Sequence, residues 1–396
     1  MTINRIALKT FFFALAFVGY YQEGRCELIF EFSATRPDFE FFSTHPDALT
    51  QPTVRGSTLS SIDLFGNELY FGYGDWAADW GPISIRSLNP STGAWSPQLL
   101  SVGTEAITHY RQIGGSSYAV MVDPRGPPGV NPGGYALGTP TGSGTTSWSQ
   151  AANIPGATHC FDIAGGAGND LWVVGSSGTS GAVWRSVDNG QTFSVARLDG
   201  PAPGSQPFVF SRYTGVVEFM GREYVQRLDV NGAHVATSLV FDGTSWSDGP
   251  DLISASNGFV FRPQQFDGKL VYLDGDLGSN SLYRFDGTQS LIAYPQQIRD
   301  FNIKDGVLIA LTASGEITST RDLNTWTILG LAPANSQSLA FNNQFIVTGT
   351  SNGQVFRADF SVITAVPEAS SFALFAVSIL IAGGISFRRF SFSRGA

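Results

Sequence analysis

The sequence predicts an all-β protein, a seven-bladed β-propeller closed by an N-terminal strand, with an N-terminal signal helix and a C-terminal transmembrane helix outside it. Three observations predict this. Between the two ends apolar and polar residues alternate with period two, and 46 Gly and 20 Pro interrupt the chain too often for long helices. A short polar turn before an aromatic or apolar residue recurs at Trp95, Trp148, Phe193, Trp246, Leu291 and Trp326, spaced about 35 to 55 residues apart, the period of propeller blades. A β-rich run that reads as a second strand recurs seven times, as NELYFGYG, SSYAVMVD, NDLWVVGS, REYVQRLD, KLVYLDGD, GVLIALTA and NQFIVTGT.

Each unit reads as four strands, with the Trp or Phe marking entry into the fourth. Seven second strands are matched by only six such markers, because the last unit stops at GQVFRADF after three strands. A ring with an unfinished blade exposes a strand edge, and propellers commonly cover it with a strand from the other terminus. The run ELIFEFSA, directly after the predicted signal cleavage, is expected to supply that outer strand; a six-bladed ring with an accessory strand is the alternative. The propeller is placed at residues 27–362, and SVITAV reads as the link to the C-terminal segment.

The composition is that of a globular β protein, acidic with a formal net charge of -9 and without Lys/Arg runs. Phosphate binding needs clustered cations, so a nucleic-acid partner is excluded. The two cysteines are Cys26 and Cys160. If Cys26 leaves with the signal, no internal disulfide exists; if cleavage falls earlier, a Cys26–Cys160 bridge is allowed but not required. Cys160, in THCFDIAGG, reads as a buried inert thiol.

The ends read as targeting segments. Residues 1–26 have a basic start, the apolar run TFFFALAFVGYY and a polar QEGRC, the order of a secretory signal peptide. Residues 363–396 hold Val366, Pro367 and Glu368, then an apolar run over about 372–387, then Arg388, Arg389 and Arg394, whose charge keeps that end cytoplasmic. This order resembles the PEP-CTERM sorting signal of Gram-negative bacteria. The resemblance covers about 30 residues and implies an exosortase-type membrane protease as partner. It also implies transient residence in the inner membrane and delivery to the cell surface or extracellular matrix. Ala369 stands where that family usually has a second Pro.

SVDNGQTF, with Ser186, Asp188, Gly190, Thr192 and Phe193, resembles the Asp-box (BNR) repeat of bacterial sialidases. Its residues suit a turn: Asp188 to accept backbone N–H groups, Gly190 to take positive φ, and Phe193 to pack between blades. TRDLNTW, residues 320–326, reads as a shortened copy. In the sialidase family the motif is structural and lies away from the active site, so the resemblance implies fold and not chemistry. The sialidase Phe/Tyr-Arg-Ile-Pro stretch is absent; FRPQQ, residues 261–265, lacks the Ile.

In a propeller the loops entering each first strand and those joining the second and third strands share one face, where ligands usually bind. Here that face is expected to carry His109, Arg111, His159, Arg212, Tyr213, Arg262, Arg299 and Asp300 from the first set. The second set adds Asp75, Trp76, Asp79, Trp80, Asp123 and Arg125. Indole faces stack on sugars, carboxylates accept from hydroxyls and arginine grips carboxylate or sulfate, so an acidic polysaccharide is the ligand expected. DGDLGSN offers Asp274, Asp276 and Asn280 as oxygen ligands but lacks the further carboxylate of a complete Ca²⁺ loop, and no cofactor, metal or catalytic residue is assigned. The leading expectation is a non-catalytic ligand-binding module. The alternatives are a glycoside hydrolase or lyase using carboxylates such as Asp75, Asp123 or Asp300, and a purely structural interaction module whose funnel charges are internally paired.

Overall fold

A computed structural model describes residues 28–31, 38–124, 133–142, 144–200, 211–228, 237–253, 259–275 and 278–364. Seven antiparallel sheets of four strands follow one another in chain order. Their innermost strands are Ser61–Phe65, Arg111–Ile113, His159–Gly165, Arg212–Phe219, Phe261–Phe266, Ile298–Lys304 and Ser336–Phe341, and each pairs outward with the next strands in sequence. The first sheet gains a short extra strand, Ala106–Ile107, on its second strand. This is a seven-bladed β-propeller and not a six-bladed one.

Second strands such as Val307–Thr312 and Phe345–Thr350 are buried along their whole length, because each blade is covered on both faces by its neighbours. A strand so covered reads as a continuous apolar run, while outer strands such as Trp95–Val102 are largely exposed or half-buried. The aromatic markers sit at the outer strands: Trp95 and Trp246 begin them, Trp148 lies within one, and Phe193 and Trp326 immediately precede them. The rings then fill space between blades. Trp95, Phe71 and Tyr70 belong to a core spanning the seventh, first and second blades, and Phe193 packs against a core holding Tyr118, Tyr135 and Trp184. Burying one such ring contributes roughly 2–3 kcal/mol.

The ring is closed by an N-terminal strand, but not by ELIFEFSA. Glu40–Thr44 pairs antiparallel with Gln354–Asp359 as the outer strand of the seventh blade. Phe42 on that strand packs into the first core cluster, and Phe41 meets Phe356 edge-on with centroids 5.9 Å apart. His45, which follows, is fully buried; its backbone N–H donates to the Gly353 carbonyl at 2.8 Å. The propeller therefore begins about a dozen residues later than position 27.

Leu28–Glu31, inside ELIFEFSA, pairs instead with Ser361–Thr364 in a two-stranded sheet of its own, Leu28 opposite Thr364 and Glu31 opposite Ser361. Ser361–Thr364, the described part of the expected link, is thus a strand. This small sheet and residues 32–360 are two separate compact units. The predicted signal, the sorting residues Val366, Pro367, Glu368, Arg388 and Arg389, and the span at about 372–387 lie outside the described residues, among which no helix is long and apolar enough to cross a membrane.

Candidate functional site

SVDNGQTF joins the third and fourth strands of the third blade. The Ser186 hydroxyl donates to Asp188 Oδ1 (2.7 Å) and accepts from Gly190 N–H (2.8 Å), while Asp188 accepts from the Thr192 N–H (2.9 Å) and hydroxyl (2.6 Å). These donors hold the Asp188 pKa down at about 2, and Gly190 has φ of 83°. Thr320 and Asp322 repeat the pattern in the sixth blade, with Asp322 accepting from Asn324 and Thr325 N–H at 2.9 and 2.7 Å. The bonds that Asp188 and Asp322 accept stay within their turns, while the Gly190 carbonyl also accepts from the Tyr135 hydroxyl (3.2 Å) and the Asn153 amide (2.8 Å).

The face at the entrance to the inner strands carries a cavity of about 290 Å³. Residues expected there that do line it are His109, His159, Arg212, Trp76 and Asp123. They come from the first to fourth blades, and Phe259 and Phe261 of the fifth complete the wall. The rings of His159 and Phe161 stack with centroids 5.8 Å apart, His159 Nε2 lies 3.2 Å from Asp123, and the Arg212 guanidinium sits 5.4 Å from the Phe161 centroid. Burial lowers the Arg212 pKa, with Asp123 opposing. Arg55 lies 4.5 Å over Trp76, whose ring is 39% exposed. Gly175 makes room for this corner: a Cβ there would collide with the His159 carbonyl oxygen.

Other expected residues are elsewhere or already engaged. Arg262 is buried at φ 50°, its Nη1 2.5 Å from Asp300 and its Nη2 3.2 Å from Asp63. Asp300 also accepts from the N–H groups of Phe301 (2.9 Å) and Leu339 (2.8 Å). Burial raises its pKa to about 7, opposed by Arg262, and no lone pair is left facing solvent for base chemistry. Arg111 spends its guanidinium on the carbonyls of Ile163, Pro263 and Val216 and lines the opposite end of the channel. Tyr213 is fully buried with its hydroxyl on Asp199 and Arg197, away from the channel. Arg299 donates to Ser336 and Ala313 carbonyls.

Asp75 is a turn residue, accepting from Thr53 Oγ1 at 2.6 Å and Ala77 N–H at 2.9 Å. Asp79 and Trp80 belong to the same loop but not to the cavity wall, and Arg125 lies outside the described residues. Among the described residues no cluster of His, Cys, Asp and Glu could hold a metal ion; Asp276 is not among them, and Asp274 Oδ1 accepts from Ser281 N–H. Cys160 is a free, buried thiol, pushed well up in pKa by burial.

The sequence reading named Asp300 but missed Asp63 and Asp162, the rest of the anionic half of the channel. Asp63, Asp162 and Asp300 all sit in inner strands, as SIDLF, CFDIA and RDFNI. Asp162 accepts from its neighbour Ile163 N–H (2.8 Å) and from Val216 N–H of the next blade (3.1 Å), as Asp300 does from Phe301 and Leu339. The third and sixth inner strands both bulge immediately before this aspartate, between Cys160 and Asp162 and between Ile298 and Asp300. His109 Nε2, 3.1 Å from Asp162, and Arg111 Nε, 3.5 Å away, complete a charged waist. The repeated Asp followed by an apolar residue in an inner strand was the available signal.

The sequence matches no family model and no curated protein. Solved structures do match. The chain is similar to a catalytically inactive virginiamycin B lyase from Staphylococcus aureus with quinupristin, at 10% identity and TM-score 0.50, over 85% of this chain and 99% of that one. It is also similar to YCF48 from Cyanidioschyzon merolae, at 14% and 0.42 over 78% and 97%, and to the computationally designed Ika8 protein, at 12% and 0.45 over 81% and 99%. At these identities the likeness is one of fold alone, the β-propeller.

Proposed function

We propose that this is an exported surface or matrix protein, sorted by an exosortase-type protease, whose propeller binds an acidic polysaccharide in the entrance-face cavity without turning it over. The observation that carries the reading is the cavity wall, where the Arg212 guanidinium and the Phe161 and Trp76 rings meet in one depression. Rings give a sugar face something to stack on, and a partly desolvated guanidinium pairs with a uronate carboxylate. Hydrolysis by two carboxylates needs a facing pair about 5 to 10 Å apart with free oxygens. The buried channel carboxylates Asp162 and Asp300 instead take several donors each, which argues against turnover there.

A purely structural module is the second reading, favoured by the internal pairing of Arg262, His109 and Arg111. A glycan array on the full-length chain separates the two. Binding of uronate-containing glycans, lost in Arg212→Ala with Trp76→Ala, supports the ligand-binding reading; no glycan bound, or undiminished binding in the double variant, refutes it.

A further inference from the structure

The opposite mouth of the channel holds a larger cavity, about 510 Å³. It lies where the inner strands end, beyond the charged waist, and a volume of this order holds roughly one or two sugar residues. Its construction is unusual for a strand end. The inner strand of the fifth blade bulges between Phe261 and Gln264, with Arg262 held at φ 50°. Positive φ in a large side chain persists only where the surroundings impose it, and it recurs at binding sites. Here it sends Arg262 down into the waist, against Asp63, and leaves the following residues, through Gln265, along the mouth.

The polar groups of the mouth are set in place beforehand. Gln112 donates its amide N–H to the Leu64 carbonyl at 2.9 Å, and Gln265 donates to the Glu218 carbonyl at 3.4 Å, so backbone contacts orient both amides and leave the Oε1 atoms as acceptors. Lys304 is exposed and has no ion pair among the described residues, and Glu218 brings a carboxylate to the same mouth. Ile113 of the second blade and Ile303 of the sixth add apolar surface to the wall. Fixed amide acceptors, one ammonium donor, near-balanced charge and apolar wall residues match a ligand with many hydroxyls, an apolar ring face and no net charge.

The geometry points to a second ligand site at this mouth, lined by Gln112, Gln265 and Lys304, for a neutral mono- or disaccharide. It is independent of the entrance-face cavity in position and in the charge of the ligand. The test is saturation-transfer NMR on the full-length chain in a detergent without sugar headgroups, with cellobiose, maltose and chitobiose as probes. Transfer to at least one probe is expected, weakened tenfold or more in Gln112→Ala with Gln265→Ala, and also in Lys304→Trp, which fills the mouth without touching the backbone hydrogen bonds. Excess trigalacturonate should leave the signal in place. Absence of transfer to all three probes, an undiminished signal in either variant, or displacement by trigalacturonate overturns the assignment.

Discussion

His45 should make the closure of the ring sensitive to acid. It follows the closing strand and lies wholly buried, its ring 4.5 Å from Tyr73, 4.7 Å from Trp95 and 5.9 Å from Phe71. Nδ1 accepts from Ala48 N–H at 3.1 Å, which fixes the tautomer with the proton on Nε2, and Nε2 has no hydrogen-bond partner. Burial lowers the His45 pKa from 6.5 to about 3; Asp47 opposes and Arg86 assists. The folded pKa lies below the unfolded one, so the unfolded chain takes up the proton first and stability falls as pH drops through 6.5 toward 3. With these two values the loss is roughly 2 kcal/mol at pH 5 and about 5 kcal/mol below pH 3. His45→Phe keeps an aromatic ring in the pocket and cannot titrate, although it forfeits the acceptor for Ala48 and so costs about 1 kcal/mol at every pH. Urea unfolding of both proteins at pH 8 and pH 5 gives a double difference in which titrations common to both cancel. The wild type should lose about 2 kcal/mol more than the variant between these two pH values. Equal losses would refute a buried neutral His45.

Three further outcomes are expected. Arg262→Met leaves Asp63 and Asp300 buried without their cation and should cost roughly 3–5 kcal/mol in urea unfolding; adding Asp63→Asn and Asp300→Asn should restore part of that, and a larger loss in the triple variant would contradict the pairing. Glu223 is 5% exposed with its Oε2 unpartnered, and burial, aided by Glu218 and Asp170, raises its pKa to about 8. Its folded pKa is above the unfolded one, so stability falls as pH rises from 4.5 through 8; Glu223→Gln should flatten that decline, and an unchanged slope of unfolding free energy against pH counts against it. Pro367→Ala with Glu368→Ala should leave the protein in the inner-membrane fraction instead of at the surface, and normal release on fractionation would argue against exosortase sorting.

The turns and their aromatics were legible in the sequence because their causes are local. Ser186, Asp188 and Gly190 bond within a few residues, and Phe193 and Trp326 follow at fixed offsets, so the blade spacing could be read without any knowledge of what lies across the ring. Closure was not legible in the same way. ELIFEFSA read as the closing strand, but the segment that completes the seventh blade is decided by Phe42 packing into the first core cluster and by His45 bonding to Gly353, a residue from the other end of the propeller. Tertiary packing outranks strand propensity in that choice.

The cationic ring failed for a related reason. His109 lines the entrance-face cavity while Arg111 and Arg262 line the opposite mouth, and a residue's position says nothing about whether its charge is already spent. Asp63, Asp162 and Asp300 spend it, and they do so from inner strands of neighbouring or opposite blades that no local pattern joins. What separates a structural cation from a ligand-binding one is therefore the depth of its partner. Where the anion is buried in the waist, as Asp300 is at 1% exposure, the pair holds blades together; where the partner is a ring at the rim, as Phe161 is for Arg212, the guanidinium keeps a face toward the cavity. On that criterion Arg212 is the cation to mutate first at the entrance face, while Arg55, 3.9 Å from the buried Asp75, and Arg262 belong to stability measurements.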